Sequence, residues 1–184
     1  MCIKDRKDEF PRPMIKFIRD LNRSDLVGAE IGVLAGVNSH SILQTLSIKK
    51  LYLIDPYLTY KEYLDITSPG FHVLKKRAEA RLREFKDKIV WVNRKSADAA
   101  IYVPDDLDFI YIDGNHSYKY CLEDIKNYWN KVKKGGIIGG HDYFNQGEAK
   151  EVKKAVDEFA EENKLKLYSE FGDGIYCDWW IVKC

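Results

Sequence analysis

The length, composition and charge of the chain restrict the classes of protein to which it can belong. Its 184 residues suit one domain, spanning 1–184, with a single sizeable core. Hydrophobic residues make up 45% of the chain and aromatic residues 13%, as in globular rather than disordered proteins. The 30 basic and 29 acidic residues nearly cancel, which argues against a broad nucleic-acid-binding surface.

The sequence also predicts the compartment. No apolar run has the length that a bilayer span needs, and the charged N-terminus lacks the apolar core of a signal peptide. The four cysteines have neither metal-binding nor redox-pair spacing: Cys2, Cys121, Cys177 and Cys184. Free thiols are typical of a reducing compartment, so we expect a cytoplasmic protein that does not engage membranes.

The predicted elements alternate between helix and strand. An N-terminal helical extension over 1–24 carries apolar residues at helical spacing. Short apolar runs then predict seven strands, at 27–33, 50–54, 89–92, 107–112, 137–140, 165–170 and 175–182. Amphipathic patterns predict intervening helices at 42–46, 71–85, 121–132 and 149–160. The segment 56–70 is predicted to be irregular.

This alternation predicts the fold class. Five strand–helix repeats favour an α/β, Rossmann-like doubly wound fold, in which a mostly parallel seven-stranded sheet has helices on both faces. Gly172-Asp173-Gly174, between the last two strands, predicts an antiparallel C-terminal hairpin. In such sheets ligands bind at the carboxyl ends of the strands, near the switch in strand order. The residues after strands one, two, four and five are therefore the candidates for a site.

The turn after strand one and the acid after strand two are the first candidates. Gly32 and Gly36 allow a sharp turn and a close approach of the backbone to a ligand. A dinucleotide fingerprint would need glycines at 32, 34 and 37, but Leu34 and Val37 stand there, which argues against pyrophosphate binding. Asp55 is placed to accept hydrogen bonds from both hydroxyls of a ribose. The alternatives are a tight turn without a ligand and a simple Asp-Pro turn residue.

These motifs together resemble a known family. Glu30-x-Gly32-x-x-x-Gly36, Asp55, Asp113-Gly114 and Gly135-Gly136 resemble a class I S-adenosylmethionine-dependent methyltransferase. The segment YIDGNHSYKYCLEDIKNYWNKVKKGGIIGGHDY is similar to the DG-x-H-x-Y … GG … HD pattern of small methyltransferases related to the catechol-type O-methyltransferases. The resemblance covers about residues 25–182. It implies S-adenosylmethionine as the cofactor.

The resemblance also implies which residues contact the cofactor. Glu30 and Gly32 would approach its methionine part. Asp55 would bind the ribose with Pro56 beside it, and Ser96 and Ala97 would lie near the adenine. Asp113 would sit under the sulfonium. The full set of expected cofactor-binding residues is Glu30, Gly32, Gly36, Ser39, Asp55, Pro56, Ser96, Ala97 and Asp113, with Asp98 as a weaker candidate.

Four residues after strands four and five are candidates for the chemistry. In metal-dependent catechol-type relatives an acid and a consecutive Asp-Asn pair at these places hold a divalent cation. Asp113, His141 and Asp142 would then bind Mg²⁺, Mn²⁺ or a softer metal, although a histidine in the pair argues against Mg²⁺. In the competing interpretation, Asp113, His116 and His141 are catalytic, and one histidine removes a proton from the acceptor. A purely structural role for each histidine stays open.

The sequence thus predicts a methyltransferase and leaves its acceptor open. O-methylation of a small-molecule or sugar-like acceptor is the leading hypothesis, with no nucleic-acid partner and with a homo-oligomer as a further expectation. The alternatives are a metal-dependent hydroxylase or lyase on the same fold and a non-catalytic nucleotide-binding module. Aromatic residues in the segments after strands two and five are candidates for the walls of the site: Tyr57, Tyr60, Tyr63, Tyr143 and Phe144.

Overall fold

Seven strands form one mixed sheet. The computed structural model describes residues 11–58, 70–147, 149–172 and 177–184. The strands are β1 (Leu26–Ile31), β2 (Ile48–Ile54), β3 (Ile89–Val92), β4 (Leu107–Ile112), β5 (Val132–Gly140), β6 (Leu167–Phe171) and β7 (Cys177–Val182). Their order is β3-β2-β1-β4-β5-β7-β6, with β1 to β5 parallel and β7 antiparallel to both neighbours. The predicted fold class is confirmed, whereas the turn of the C-terminal hairpin lies partly outside the described residues.

Helices cover both faces of the sheet. They are α1 (Pro13–Asp20), α2 (Val37–Thr45), α3 (Phe71–Arg81), α4 (Ser96–Ala99), α5 (Tyr118–Trp129) and α6 (Ala149–Glu162). Buried side chains of α1, α2 and α3 form one apolar cluster, and those of α4, α5 and α6 form another on the opposite face. Because successive strand residues point to opposite faces, Trp179 belongs to the second cluster and Trp180 to the first.

Three elements, α4, α5 and β5, differ most from the sequence prediction. The helix predicted to reach Val132 ends at Trp129, and β5 begins at Val132 rather than at Ile137. Gly135 and Gly136 therefore lie inside a strand instead of ending a helix. The N–H of Gly135 donates to Lys183 O, and the N–H of Lys183 donates to Gly136 O. The short helix α4 was not predicted, because four residues are too few to show a helical period.

The N-terminal helix is an integral part of the packing. Pro13 occupies its first turn, where a missing N–H is tolerated. Met14, Ile15 and Ile18 are buried in the same cluster as the side chains of α2 and α3. The backbone N–H of Met14 donates to Asp178 Oδ2 of β7 at 3.1 Å, which fixes the start of the helix to the sheet. None of the helices in the described ranges has the length and hydropathy needed to cross a membrane.

Candidate active site

The register of the parallel strands brings the candidate residues to one edge of the sheet. Ile31 lies opposite Ile54 of β2 and Ile112 of β4. The ladder continues past the strand ends, because Gly32 N donates to Ile54 O at 2.9 Å and Asp113 N donates to Ile31 O at 2.8 Å. His141 N similarly donates to Ile112 O at 3.1 Å. The order of strands reverses between β1 and β4, so this edge is the switch point where ligands bind in such sheets.

Gly32 is required by the close approach of two strand ends. Its φ of +86° is a conformation that side-chain-bearing residues rarely adopt. A Cβ atom at this position would overlap the carbonyl oxygen of Asp113. Gly36, with φ of +72°, precedes α2 and packs against Ala78 of α3. Gly32 thus lies at the edge where a ligand would bind, whereas Gly36 sets the direction of the following helix.

Asp55 closes the turn between β1 and α2. Its Oδ2 accepts hydrogen bonds from the backbone N–H groups of Val33 and Leu34 at 3.0 and 2.9 Å. Its Oδ1 accepts one from Tyr57 N at 2.8 Å. Burial raises the pKa of Asp55, and these three donors oppose that shift. The carboxylate therefore already has a structural function, and its two oxygens retain acceptor capacity for a ligand.

Glu30 is a buried acid at the end of β1. It is 1% exposed, and it accepts hydrogen bonds from Asn38 Nδ2 at 2.9 Å and from the hydroxyl of Ser39. Burial raises the pKa of Glu30 to about 7, although the two hydrogen bonds favour the ionised form. Ser39 is fully buried and its hydroxyl donates to Glu30, so it positions that acid.

Two cavities adjoin at these strand ends. The first has a volume of about 300 Å³ and the second of about 170 Å³. Both are lined by Gly32, Asp55, Gly114 and Asn115. The first is also lined by Arg12, Glu30, Val33, Asn38, Asp113 and His116, and the second by Pro56, Ser96, Ala97, Tyr120 and Asp124. Because they share walls, the cavities form one cleft across the end of β1.

Asp113, His116, His141 and Asp142 form a connected polar cluster. Asp142 Oδ2 lies 3.1 Å from His116 Nε2 and 3.2 Å from His141 Nδ1, so one carboxylate contacts both rings. His116 Nε2 is 3.6 Å from Asp113 Oδ1. Asp142 has a φ of +60°, an uncommon backbone conformation that is often found at functional sites. The structure therefore brings together all four residues that the sequence nominated for chemistry.

Arg12, the residue before α1, joins this cluster. Its Nη1 donates to Asp113 Oδ2 at 2.7 Å and to the Tyr111 hydroxyl at 3.1 Å. Tyr111 in turn donates to Asp178 Oδ1 at 2.8 Å. Burial alone would raise the pKa of Asp113, but Arg12 and the nearby histidines hold it well below its usual range. Asp113 is therefore a permanent negative charge at the end of β4.

Burial and the neighbouring acids shift the pKa of His141 in opposite directions. The ring is 8% exposed, and burial lowers its pKa. The hydrogen bond to Asp142 and the charge of Asp113 outweigh burial, so the pKa of His141 lies above its ordinary value. Ligand atoms of Asp113, His141 and Asp142 also lie within 4.8 Å of one another, which is a spacing that could hold a metal ion.

Comparison with known proteins places this geometry in a family. A family model described as a methyltransferase domain matches residues 29–143, more than half of the chain. The chain belongs to this methyltransferase family. The match runs from within β1 past the end of β5, so it includes Asp113, His116, His141 and Asp142 and all the cleft residues except Arg12. Together with the strand order, it makes the chain a class I S-adenosylmethionine-dependent methyltransferase, as the sequence motifs implied.

Individual relatives are distant. The methyltransferase is 27% identical over 154 residues to "Uncharacterized protein R132" of Acanthamoeba polyphaga mimivirus, covering 81% of the chain and just under two thirds (66%) of the viral protein. An O-methyltransferase of Bacillus cereus, solved with SAH, has a TM-score of 0.68 at 13% identity, over 97% of this chain and 84% of that one. An rRNA methylase of Streptococcus thermophilus has a TM-score of 0.65 at 13% identity, over 95% and 98%. These structures share the fold.

Several residues of the methyltransferase site were missed at the sequence level. Arg12 carries no motif, and only the packing of α1 brings it to Asp113. Asp124, 3% exposed, lines the second cavity, and burial raises its pKa to about 7. Its position on the apolar side of α5, beside Cys121 and Ile125, was a usable signal, because an acid on a buried helix face is rarely there without a function.

The aromatic residues predicted to form the walls of the site lie in different places. Tyr57 is buried, and its hydroxyl donates to Leu34 O at 3.1 Å, so it supports the β1–α2 turn from below. Tyr60 and Tyr63 lie outside the described residues. Tyr143 and Phe144 line a separate cavity of about 540 Å³ next to β6 and β7. Asp98 follows Ser96 and Ala97 on α4. Ser96 and Ala97 line the second cavity.

Proposed function

We propose that the protein transfers the methyl group of S-adenosylmethionine to a hydroxyl oxygen of a small-molecule or sugar-like acceptor. The observation that carries this proposal is the cluster of Asp113, His116, His141 and Asp142 beside the cleft. An acid–base pair at the strand ends is what a hydroxyl acceptor requires, because its oxygen must lose a proton as it attacks.

In this proposal the parts of the cofactor would lie along the cleft in the order that the resemblance implies. The first cavity would take the methionyl end, with Glu30 and Gly32 in its wall. Asp55, shared by both cavities, would accept hydrogen bonds from the ribose, with Pro56 alongside. Ser96 and Ala97 in the second cavity would lie near the adenine. The buried polar groups of this cleft suit a polar ligand of this length.

The residues of the cluster would divide the work of proton transfer. S-adenosylmethionine supplies an electrophilic methyl carbon: the acceptor oxygen bonds to it as its bond to sulfur breaks. His141, oriented through Nδ1 by Asp142, would take the hydroxyl proton. Asp113 would hold a negative charge near the sulfonium. Since His141 must be neutral to act as a base, activity is expected to rise with pH through its raised pKa.

A divalent cation is an alternative way to activate the acceptor. Asp113, His141 and Asp142 could hold it, and it would lower the pKa of a hydroxyl bound to it. The guanidinium of Arg12, 2.7 Å from Asp113, would compete with a cation for the same carboxylate. Turnover that survives a chelator would assign the work to the acid–base pair; turnover that requires Mn²⁺ or Mg²⁺ would assign it to a metal.

The acceptor class is supported by charge. A net charge of +1 does not favour a polyanion, whereas a small polar acceptor makes no such demand. A screen should therefore include phenols, sugars and hydroxylated small molecules, with a structured RNA as the contrasting substrate. Methylation of the RNA alone would refute the small-molecule proposal.

The decisive experiment combines binding with turnover. Titration calorimetry should detect S-adenosylhomocysteine, and the acceptor screen should give labelled product from labelled S-adenosylmethionine. Asp142→Asn should lower turnover by at least about 100-fold while changing cofactor affinity less than about threefold. Asp105→Asn, at an exposed ion pair with Lys131, is the matched control. Bound iron without affinity for the cofactor would instead favour the hydroxylase alternative, and binding without any turnover the non-catalytic one.

A further inference from the structure

Asp178 is a buried acid in the C-terminal strand of the sheet. It is the one charged residue of β7, it is 1% exposed, and it is not among the described residues that line the cleft. Burial raises the pKa of its carboxyl to about 6. Because burying an acid is costly, such a residue is rarely found without partners that need its oxygens. The partners of Asp178 therefore indicate why an acid stands there.

Both carboxylate oxygens of Asp178 hold the surroundings of Arg12. Oδ2 accepts from the backbone N–H of Met14 at 3.1 Å, which fixes the chain two residues after Arg12. Oδ1 accepts from the Tyr111 hydroxyl at 2.8 Å. The same hydroxyl accepts from Arg12 Nη1 at 3.1 Å. One side chain thus fixes both the backbone beside Arg12 and an acceptor of its guanidinium.

Arg12 lies outside the regular part of α1, so its orientation depends on such contacts. Its backbone is extended, with φ of −61° and ψ of 157°. Ordering a long arginine side chain costs conformational entropy, and fixed partners on both sides reduce the number of conformations it can adopt. Tyr111 is one partner, with its ring centre 5.6 Å from the guanidinium carbon, and Asp113 Oδ2 at 2.7 Å is another. Tyr111 therefore favours the conformation in which Arg12 reaches Asp113.

We propose that Asp178 is a positioning residue for methyl transfer that holds the guanidinium of Arg12 against Asp113. It acts through the Tyr111 hydroxyl and through the first turn of α1. Asp113 would thereby keep one orientation at the end of β4, with Oδ1 3.6 Å from His116 Nε2. This inference rests on the role of Asp113 in the proposed reaction. It makes β7, which lies beside the cleft-forming strands, part of the support of the site.

Two substitutions separate the two routes by which Asp178 acts. An asparagine has one acceptor oxygen, so Asp178→Asn cannot accept from both Met14 N–H and the Tyr111 hydroxyl. Tyr111→Phe removes the side-chain route and leaves the N–H of Met14 bonded to Asp178. Both changes should release Arg12, since its side chain is the end of each route.

The first test observes Arg12 directly and needs no acceptor. Nuclear magnetic relaxation of the side-chain N–H of Arg12, assigned by its loss in Arg12→Met, should give an order parameter of about 0.8 in the wild type. Asp178→Asn and Tyr111→Phe should each lower it below about 0.6. Asp20→Asn is the matched control, because it breaks an exposed ion pair with Arg19 on the same helix. It should leave the order parameter of Arg12 unchanged.

The second test measures methyl transfer to the acceptor that the screen identifies. Asp178→Asn and Tyr111→Phe should each lower kcat about 10-fold, with the KM for the acceptor changed less than about threefold. The double variant should also lose about 10-fold, because both changes act on the same arginine and are not additive. Losses that multiply to about 100-fold would show that Asp178 acts independently of Tyr111, and they would overturn the proposal.

Two further results would also overturn it. An unchanged order parameter in both variants would show that Arg12 keeps its place without Asp178. A lowered order parameter with unchanged kcat would show that this place does not matter for transfer. Wild-type protein that binds the cofactor but methylates no acceptor would refute the proposed function, whereas the order parameter would still decide whether Asp178 holds Arg12. Tyr111→Phe carries both tests should Asp178→Asn not fold.

Discussion

The buried acid at the end of β1 leads to a quantitative prediction about stability and pH. Glu30 is 1% exposed, and burial raises its pKa from an ordinary value of 4.5 to about 7. The folded state therefore holds a proton on Glu30 at pH values where the unfolded chain has released it. Replacing Glu30 with glutamine keeps the shape and the acceptor oxygen for Asn38, and it removes the titration.

The sign and size of the effect follow from linkage. Because the folded state binds more protons than the unfolded one, the free energy of unfolding falls as pH rises between about 4.5 and 7. One pKa unit corresponds to about 1.4 kcal/mol, so the full shift corresponds to about 3 kcal/mol. About 2–3 kcal/mol of this change falls between pH 5 and pH 8. The free energy of unfolding of Glu30→Gln minus that of the wild type should therefore be larger at pH 8 than at pH 5, by about 2–3 kcal/mol.

Urea denaturation of both proteins at pH 5 and pH 8 would measure the difference. The other buried acids with a raised pKa, which contribute to the pH dependence of both proteins and cancel in the comparison, are Asp55, Asp124 and Asp178. A substitution that changes the free energy of unfolding equally at the two pH values would show that Glu30 is ionised throughout. In that case the hydrogen bonds from Asn38 and Ser39 outweigh burial, and the reasoning is refuted.

Three further substitutions, the first with a matched control, test individual contacts. Gly32→Ala should lower the free energy of unfolding by at least about 3 kcal/mol, because its Cβ would overlap the neighbouring strand end. The control Gly135→Ala, where φ is a similar +72° but the space is open, should lower it by about 1–2 kcal/mol. Asp55→Ala should weaken S-adenosylhomocysteine and 5′-methylthioadenosine alike by about 10- to 100-fold in calorimetry, because both carry the ribose. Tyr111→Phe should lower the urea-measured stability by about 1–2 kcal/mol, because the carboxylate of Asp178 loses a buried donor; an unchanged midpoint would contradict this.

The sheet was predictable from the sequence because its strands are short apolar runs that end at recognisable turns. The run 107–112 coincides with β4, and Asp113 follows it directly. The start of β5 was not predictable in the same way. Lys133 and Lys134 interrupt its apolar pattern, and Gly135-Gly136 normally mark a turn. Pairing with Leu107 and with the chain at Lys183 holds 132–136 against the sheet, and neither contact is local.

The site was predictable only where its residues follow strands. Asp55, Asp113 and His141 each come directly after a strand, so the register of the sheet brings them together. Arg12 lies 101 residues from its partner Asp113, and its place depends on how α1 packs against β7. No spacing rule connects residues that meet through the packing of separate elements. The sequence therefore indicated the acids that follow strands, but it missed Asp124 on α5 and the counter-ion Arg12.

The counter-ion Arg12, which the sequence did not indicate, connects the cleft with the polar cluster. Asp113 directs Oδ2 to Arg12 and Oδ1 to His116, so one carboxylate belongs to both. Besides burial and the hydrogen bond to Asp142, the pKa of His141 responds to the charges of Asp113, which raises it, and of Arg12, which lowers it. Arg12 also lines the first cavity, so the cleft and the polar cluster are coupled through the single side chain of Asp113.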